Sequence, residues 1–99
     1  MKLYDIPLRS AAYAGNIEKV RLFIERGDDI NSTNEYDKRT PLYMASKKGH
    51  IDAVRLLLEH GAKHHTESGK SRRPIFAAKY YNHPDVVEVL MEYGDDLNI

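Results

Sequence analysis

The chain has 99 residues, no cysteine, and 15 basic against 15 acidic side chains, so its formal charge is zero. This length suits one domain, which we expect over residues 1–99. The composition excludes disulfides, thiolate metal ligands and a cysteine nucleophile, and its neutral charge gives no general attraction to DNA or a membrane surface. No apolar run could span a bilayer, and residues 1–7 do not resemble a signal peptide. We therefore expect a cytoplasmic protein, or one in a host cytosol if it is an effector.

The sequence repeats itself at an interval of 34 residues and then of 33. A shift of 34 places Pro7 on Pro41 and Gly15 on Gly49, and a shift of 33 places Pro41 on Pro74. Internal repeats of this length indicate stacked units that each bury an apolar face against a neighbour. We therefore predict three repeats, at approximately 3–34, 35–67 and 68–99.

Each repeat is predicted to contain two helices. In chain order they are 7–14 and 17–26, then 41–48 and 51–60, then 74–81 and 84–93. Proline begins each first helix, where its missing N–H costs little. Glycine follows two of the first helices and Asn82 follows the third, and both residue types tolerate the left-handed backbone that ends a helix.

The repeated motifs resemble ankyrin repeats. The middle copy is the clearest, with "TPLYMA" at 40–45 and "GHIDAVRLLLEHGA" at 49–62. The resemblance implies an all-α solenoid of three helix-turn-helix repeats, joined by two hairpin loops at 27–40 and 61–73. It also implies a non-catalytic role in protein–protein interaction, as a scaffold, adaptor or inhibitor. Neither a cofactor nor a small-molecule substrate is expected.

The chain departs from the family pattern at the position after Pro-Leu, where the family has histidine. Arg9, Tyr43 and Phe76 stand there, so the usual hydrogen bonds of that histidine to the neighbouring hairpin must be lost or replaced. Of the residues before the prolines, only Thr40 is a good N-cap, and Arg73 is a poor one.

The segment "HHTESGKSRRP" at 64–74 contains residue types that carry chemistry elsewhere. Its Gly-Lys-Ser lacks the earlier glycine, the strand and the long helix of a phosphate-binding loop. His60, His64 and His65 are close in sequence, but a zinc site needs further ligands and we predict none. No catalytic arrangement is visible, so we expect no enzyme activity. His50 and His83 recur at one repeat position, which predicts a structural role at the helix–helix turn.

The resemblance implies that a partner would meet the concave side, at the hairpin tips and the exposed ends of the first helices. Transferred position by position, the candidate partner-binding residues are Tyr4, Asp5, Tyr13, Tyr36, Asp37, Arg39, Lys47, Lys48, Lys70, Arg72, Tyr80 and Tyr81. Five of the seven tyrosines belong to this set, and tyrosine is frequent in binding hot spots. The alternative for these tyrosines is packing against neighbouring helices.

Two other functions stay open at this stage. A nucleic-acid or other polyanion binder could use a basic second hairpin, with Lys47, Lys48, Lys70, Arg72 and Arg73. The acidic first hairpin argues against it, because tracking a phosphate backbone requires charge of one sign. Alternatively, the repeats could be a structural spacer in a longer multidomain protein. We expect a monomer, with end-to-end association of two copies as the alternative.

Overall fold

The computed structural model describes residues 7–33, 39–64 and 73–95, and these residues form six α-helices without a strand. The helices are α1 Pro7–Ala14, α2 Ile17–Glu25, α3 Pro41–Lys48, α4 Ile51–Glu59, α5 Pro74–Tyr80 and α6 Pro84–Glu92. The predicted helices all exist, but four of them end one residue earlier than expected, because their predicted last residues are the C-caps. Most of both predicted hairpin tips, 34–38 and 65–72, lies outside the described residues.

Local capping explains where several helices begin and end. The Thr40 hydroxyl accepts a hydrogen bond from the Tyr43 amide at 3.1 Å, so the predicted N-cap is confirmed. Arg73, as expected, makes no such side-chain bond to α5. Asn82, which follows α5, has a φ of 64° and so adopts the predicted left-handed conformation.

The helices form two layers with a common apolar core. The first layer is α1, α3 and α5, and the second is α2, α4 and α6. Fully buried side chains enter the core from both layers, among them Leu42 and Ile75 from the first and Leu57 and Leu90 from the second. Neighbouring helices of the first layer contact one another much more extensively than those of the second. This closer spacing curves the stack towards the first layer.

Two histidines connect neighbouring repeats along the first layer. The His50 imidazole lies with Nε2 3.0 Å from the backbone carbonyl oxygen of Tyr13, and His83 repeats this contact with the Lys47 carbonyl at 3.0 Å. With the proton on Nε2, each ring donates to a carbonyl at the end of the preceding first helix, where helical partners run out. The predicted structural role is therefore confirmed. The histidines join the turns of two repeats, rather than closing the turn of one.

Gly49 is required for this contact. Its φ is 75°, and a Cβ built at this position would lie 2.5 Å from Nδ1 of His83. Gly61 also has a positive φ, 88°, but nothing lies within 4 Å of a Cβ there. An alanine at either position would strain the backbone, because both residues have a positive φ. Only at Gly49 would its Cβ also clash with an imidazole ring.

We predict that Gly49→Ala destabilises the protein more than its matched control, Gly61→Ala. The left-handed backbone costs each variant about 1–2 kcal/mol, and displacing His83 adds roughly 1 kcal/mol or more to the first variant alone. Urea unfolding monitored by circular dichroism measures the difference. Equal losses of stability would show that the histidine contact contributes nothing.

Candidate partner-binding surface

Six of the twelve predicted binding residues lie in the described part of the chain: Tyr13, Arg39, Lys47, Lys48, Tyr80 and Tyr81. The other six, which are Tyr4, Asp5, Tyr36, Asp37, Lys70 and Arg72, lie outside the described residues. Of the first six, all except Arg39 are at the C-terminal ends of the first-layer helices.

Those five residues form a continuous tyrosine–lysine stripe across the three repeats. The Lys48 ammonium lies over the Tyr13 ring, 5.1 Å from its centroid, and the Lys47 ammonium lies 5.2 Å from the centroid of the Tyr81 ring. Tyr80 meets Tyr81 edge-to-face, with the ring centroids 4.9 Å apart. Both lysines thus reach from the middle repeat to a tyrosine of a neighbouring one. Cation–π contacts of this kind contribute about 0.5–1 kcal/mol at exposed sites and restrict where the ammonium groups lie.

The tyrosines of the stripe are exposed, in contrast to a tyrosine on the same layer. Tyr80 is 80% exposed, and Tyr13 and Tyr81 are 44% and 45% exposed, whereas Tyr43 is only 5% exposed. Tyr80 therefore does not pack into the core. Tyr13 and Tyr81 each leave nearly half of their surface to solvent, so a partner could contact all three rings.

Arg39, the one described candidate outside the stripe, supports the fold. Its guanidinium carbon is 5.2 Å from the centroid of the buried Tyr43 ring. Its backbone carbonyl accepts a hydrogen bond from the Arg9 guanidinium at 3.1 Å. Arg9 stands at the position where the family has histidine. At this position the histidine's hydrogen bond to the neighbouring hairpin is therefore replaced by one from the arginine.

Arg73 is not part of an exposed basic hairpin, so the polyanion-binding alternative was wrong to count it there. Its side chain is buried and forms an ion pair with Asp95, which is also buried. His64 lies beside them, with Nδ1 3.4 Å from an Asp95 carboxylate oxygen and Nε2 3.2 Å from the Tyr93 carbonyl. The cluster fastens the start of the third repeat to its end. A charged side chain is rarely buried unless it is paired, and the ion pair with Asp95 makes the burial of Arg73 possible.

A signal for this burial existed in the repeat register. Arg73 aligns with Thr40, the buried N-cap of the middle repeat, and Asp95 aligns with Ala62, which is also buried. Two charged residues at two buried repeat positions indicate a pair. The proximity of Arg73 to other basic residues in sequence gave the opposite impression.

The acidic first hairpin is partly neutralised in the structure. Arg26 donates to both carboxylate oxygens of Asp28, at 3.0 and 2.7 Å. These hydrogen bonds lower the pKa of Asp28, against a smaller opposing effect of desolvation and with a minor contribution from the charge of Arg26. Asp28 therefore stays ionised to lower pH when folded, and its support for the fold is lost as pH falls through that lowered pKa.

Two other possibilities considered from the sequence are a metal site and a membrane-spanning segment. Within 7–33, 39–64 and 73–95, no three histidine, aspartate or glutamate side chains gather closely enough to hold a metal ion. His65, the third predicted neighbour of His60 and His64, lies outside these ranges. The helices in the same ranges include none that is long and apolar enough to cross a membrane.

Comparison with known proteins identifies the repeats. The family model for ankyrin repeats, in three copies, matches residues 8–99. Among curated proteins, no match was found. Ankyrin repeats generally serve as protein–protein interaction modules, and the family is typically non-enzymatic.

We predict that Arg73→Ala costs about 3–5 kcal/mol of folding stability, because it removes the buried guanidinium that pairs with the Asp95 carboxylate. Lys63→Ala is the control: it removes an exposed positive charge from the same loop and should change stability by less than about 0.5 kcal/mol. Urea unfolding of both variants tests this. An Arg73 variant as stable as the Lys63 variant would mean that the buried pair does not stabilise the repeat.

Proposed function

Because the chain belongs to the ankyrin-repeat family, we propose that it is a non-catalytic interaction module that binds a protein partner through the tyrosine–lysine stripe. In this proposal the protein is a scaffold, adaptor or inhibitor that acts as a monomer. A cytosolic setting is part of the proposal, since a chain without cysteine suits a reducing compartment.

The observation that supports this surface most strongly is the exposure of three tyrosines at the C-terminal ends of the first-layer helices, with two lysines of the middle repeat between them. Tyrosine offers a large contact area with few rotatable bonds, and a hydroxyl that can form a hydrogen bond. Large apolar side chains are also exposed on the second layer, such as Leu22 at 55% and Met91 at 50%. Those two lie in different repeats, on α2 and α6.

The proposed surface extends beyond the stripe. Its proposed margin, kept on the strength of repeat positions alone, consists of Tyr4, Asp5, Tyr36, Asp37, Arg39, Lys70 and Arg72. The alternative of nucleic-acid binding is weakened, because burial of Arg73 removes one of the five basic residues on which it depended. The spacer alternative is separated from our proposal by the experiment that follows.

We predict that replacing Tyr13, Tyr80 and Tyr81 together by serine abolishes partner binding and leaves the fold intact. Affinity capture with cross-linking, compared between wild type and this variant, measures the first effect. Circular dichroism and urea unfolding measure the second. We expect a total loss of no more than about 2 kcal/mol, because Tyr80 is 80% exposed and Tyr13 and Tyr81 are each nearly half exposed.

The matched control is the pair Leu22→Ser and Met91→Ser, which removes exposed apolar surface from the second layer. This control should retain every partner that the wild type captures. Retention of the partner by the triple tyrosine variant would contradict the proposed surface. Capture of no partner by the wild type would favour the spacer alternative. Unfolding of the triple variant would show that the tyrosines are structural.

A further inference from the structure

The two helix layers carry opposite charge. Helices α1, α3 and α5, with sequences PLRSAAYA, PLYMASKK and PIFAAKY, contain four basic residues and no acidic one, a net charge of +4. Helices α2, α4 and α6, with sequences IEKVRLFIE, IDAVRLLLE and PDVVEVLME, contain three basic and seven acidic residues, a net charge of −4. The overall neutrality of the chain therefore hides a basic inner layer and an acidic outer one.

The two central lysines of the basic layer have no acidic partner in the described part of the chain. The ion pairs there involve other residues, such as Arg26 with Asp28 and Arg55 with Glu92. Lys47 and Lys48 instead lie over tyrosine rings, and an ammonium over a ring keeps its charge available to a second ligand on its open side. Their placement reduces the side-chain entropy that a surface lysine loses when it binds a carboxylate.

From this arrangement we infer that the stripe binds an acidic segment of a protein partner, rich in aspartate or glutamate. The carboxylates would pair with Lys47 and Lys48, and the flanking tyrosine hydroxyls would donate further hydrogen bonds to them. The inference rests on the proposed function and names the chemistry of the partner. The acidic outer layer would disfavour the same segment elsewhere on the protein and so add to selectivity.

Single-stranded nucleic acid is the other anion that combines with lysine and aromatic side chains, and the geometry disfavours it. Bases bind such surfaces by stacking on open ring faces. Here one face of Tyr13 and one face of Tyr81 are each covered by an ammonium, and Tyr80 and Tyr81 meet edge-to-face. A base that stacks on either of these covered faces would have to displace an ammonium group, whereas a carboxylate would add to the contact.

The test is a fluorescence-anisotropy titration with a labelled oligoglutamate peptide at low salt. Binding should weaken on the order of tenfold in the double variant Lys47→Gln, Lys48→Gln. The control Lys19→Gln, Lys63→Gln removes the same charge from exposed sites outside the stripe, and it should change binding by less than about threefold. Both lysines of the stripe are on the surface, and His83 contacts only the backbone of Lys47, so the variant should fold normally.

Three results would overturn the inference: absence of oligoglutamate binding, equal weakening in the two double variants, or tighter binding of a labelled oligothymidylate than of oligoglutamate. The last result would identify single-stranded nucleic acid as the ligand. If oligoglutamate does not bind but partner capture still depends on the three tyrosines, only the acidic chemistry is wrong. If capture is also unaffected by the tyrosines, the proposed function itself fails.

Discussion

The contact between an imidazole of one repeat and the carbonyl end of the preceding first helix determines much of this structure. His50 and His83 make it, and Gly15 and Gly49 leave the room for their rings. The acceptors are the backbone carbonyls of Tyr13 and Lys47, two residues whose side chains belong to the tyrosine–lysine stripe. The bonds that hold the repeats together therefore also fix the positions from which the stripe projects. A binding surface built this way needs little reorganisation when a partner arrives, which lowers the entropic cost of association.

The two layers differ in how closely their helices pack and in their charge. Alanines at 11, 45 and 78 are buried in the first layer, and their small size allows these helices to approach closely. Close approach brings side chains of adjacent repeats within reach of one another, so that lysines from the middle repeat meet tyrosines on either side. The second layer is more widely spaced and acidic. Curvature and the continuity of the stripe thus share one cause, the tight packing of the first layer.

Much of this could be predicted from the sequence, because the repeat makes each signal appear more than once. Proline, glycine and histidine at fixed offsets predicted the helices and their turns, and three copies confirm one another. The Arg73–Asp95 pair does not recur, because Thr40 stands at the equivalent of Arg73 in the middle repeat, so repetition did not point to it. Its only signal was the alignment of two charged residues with the buried Thr40 and Ala62. The pairing of Lys47 with Tyr81 and of Lys48 with Tyr13 escaped prediction for a related reason. It depends on the lateral spacing of helices, which the sequence of a single helix does not specify.

The measurement that tests the account most directly is site-specific photo-crosslinking from the two layers. A photoreactive phenylalanine derivative would replace Tyr80 on the stripe in one sample and Glu88, on the exposed side of α6, in the other. If the inner layer binds the partner, position 80 should cross-link to it and position 88 should not. A cross-link from position 88 without one from position 80 would show that the partner binds the acidic second layer, and would contradict the account.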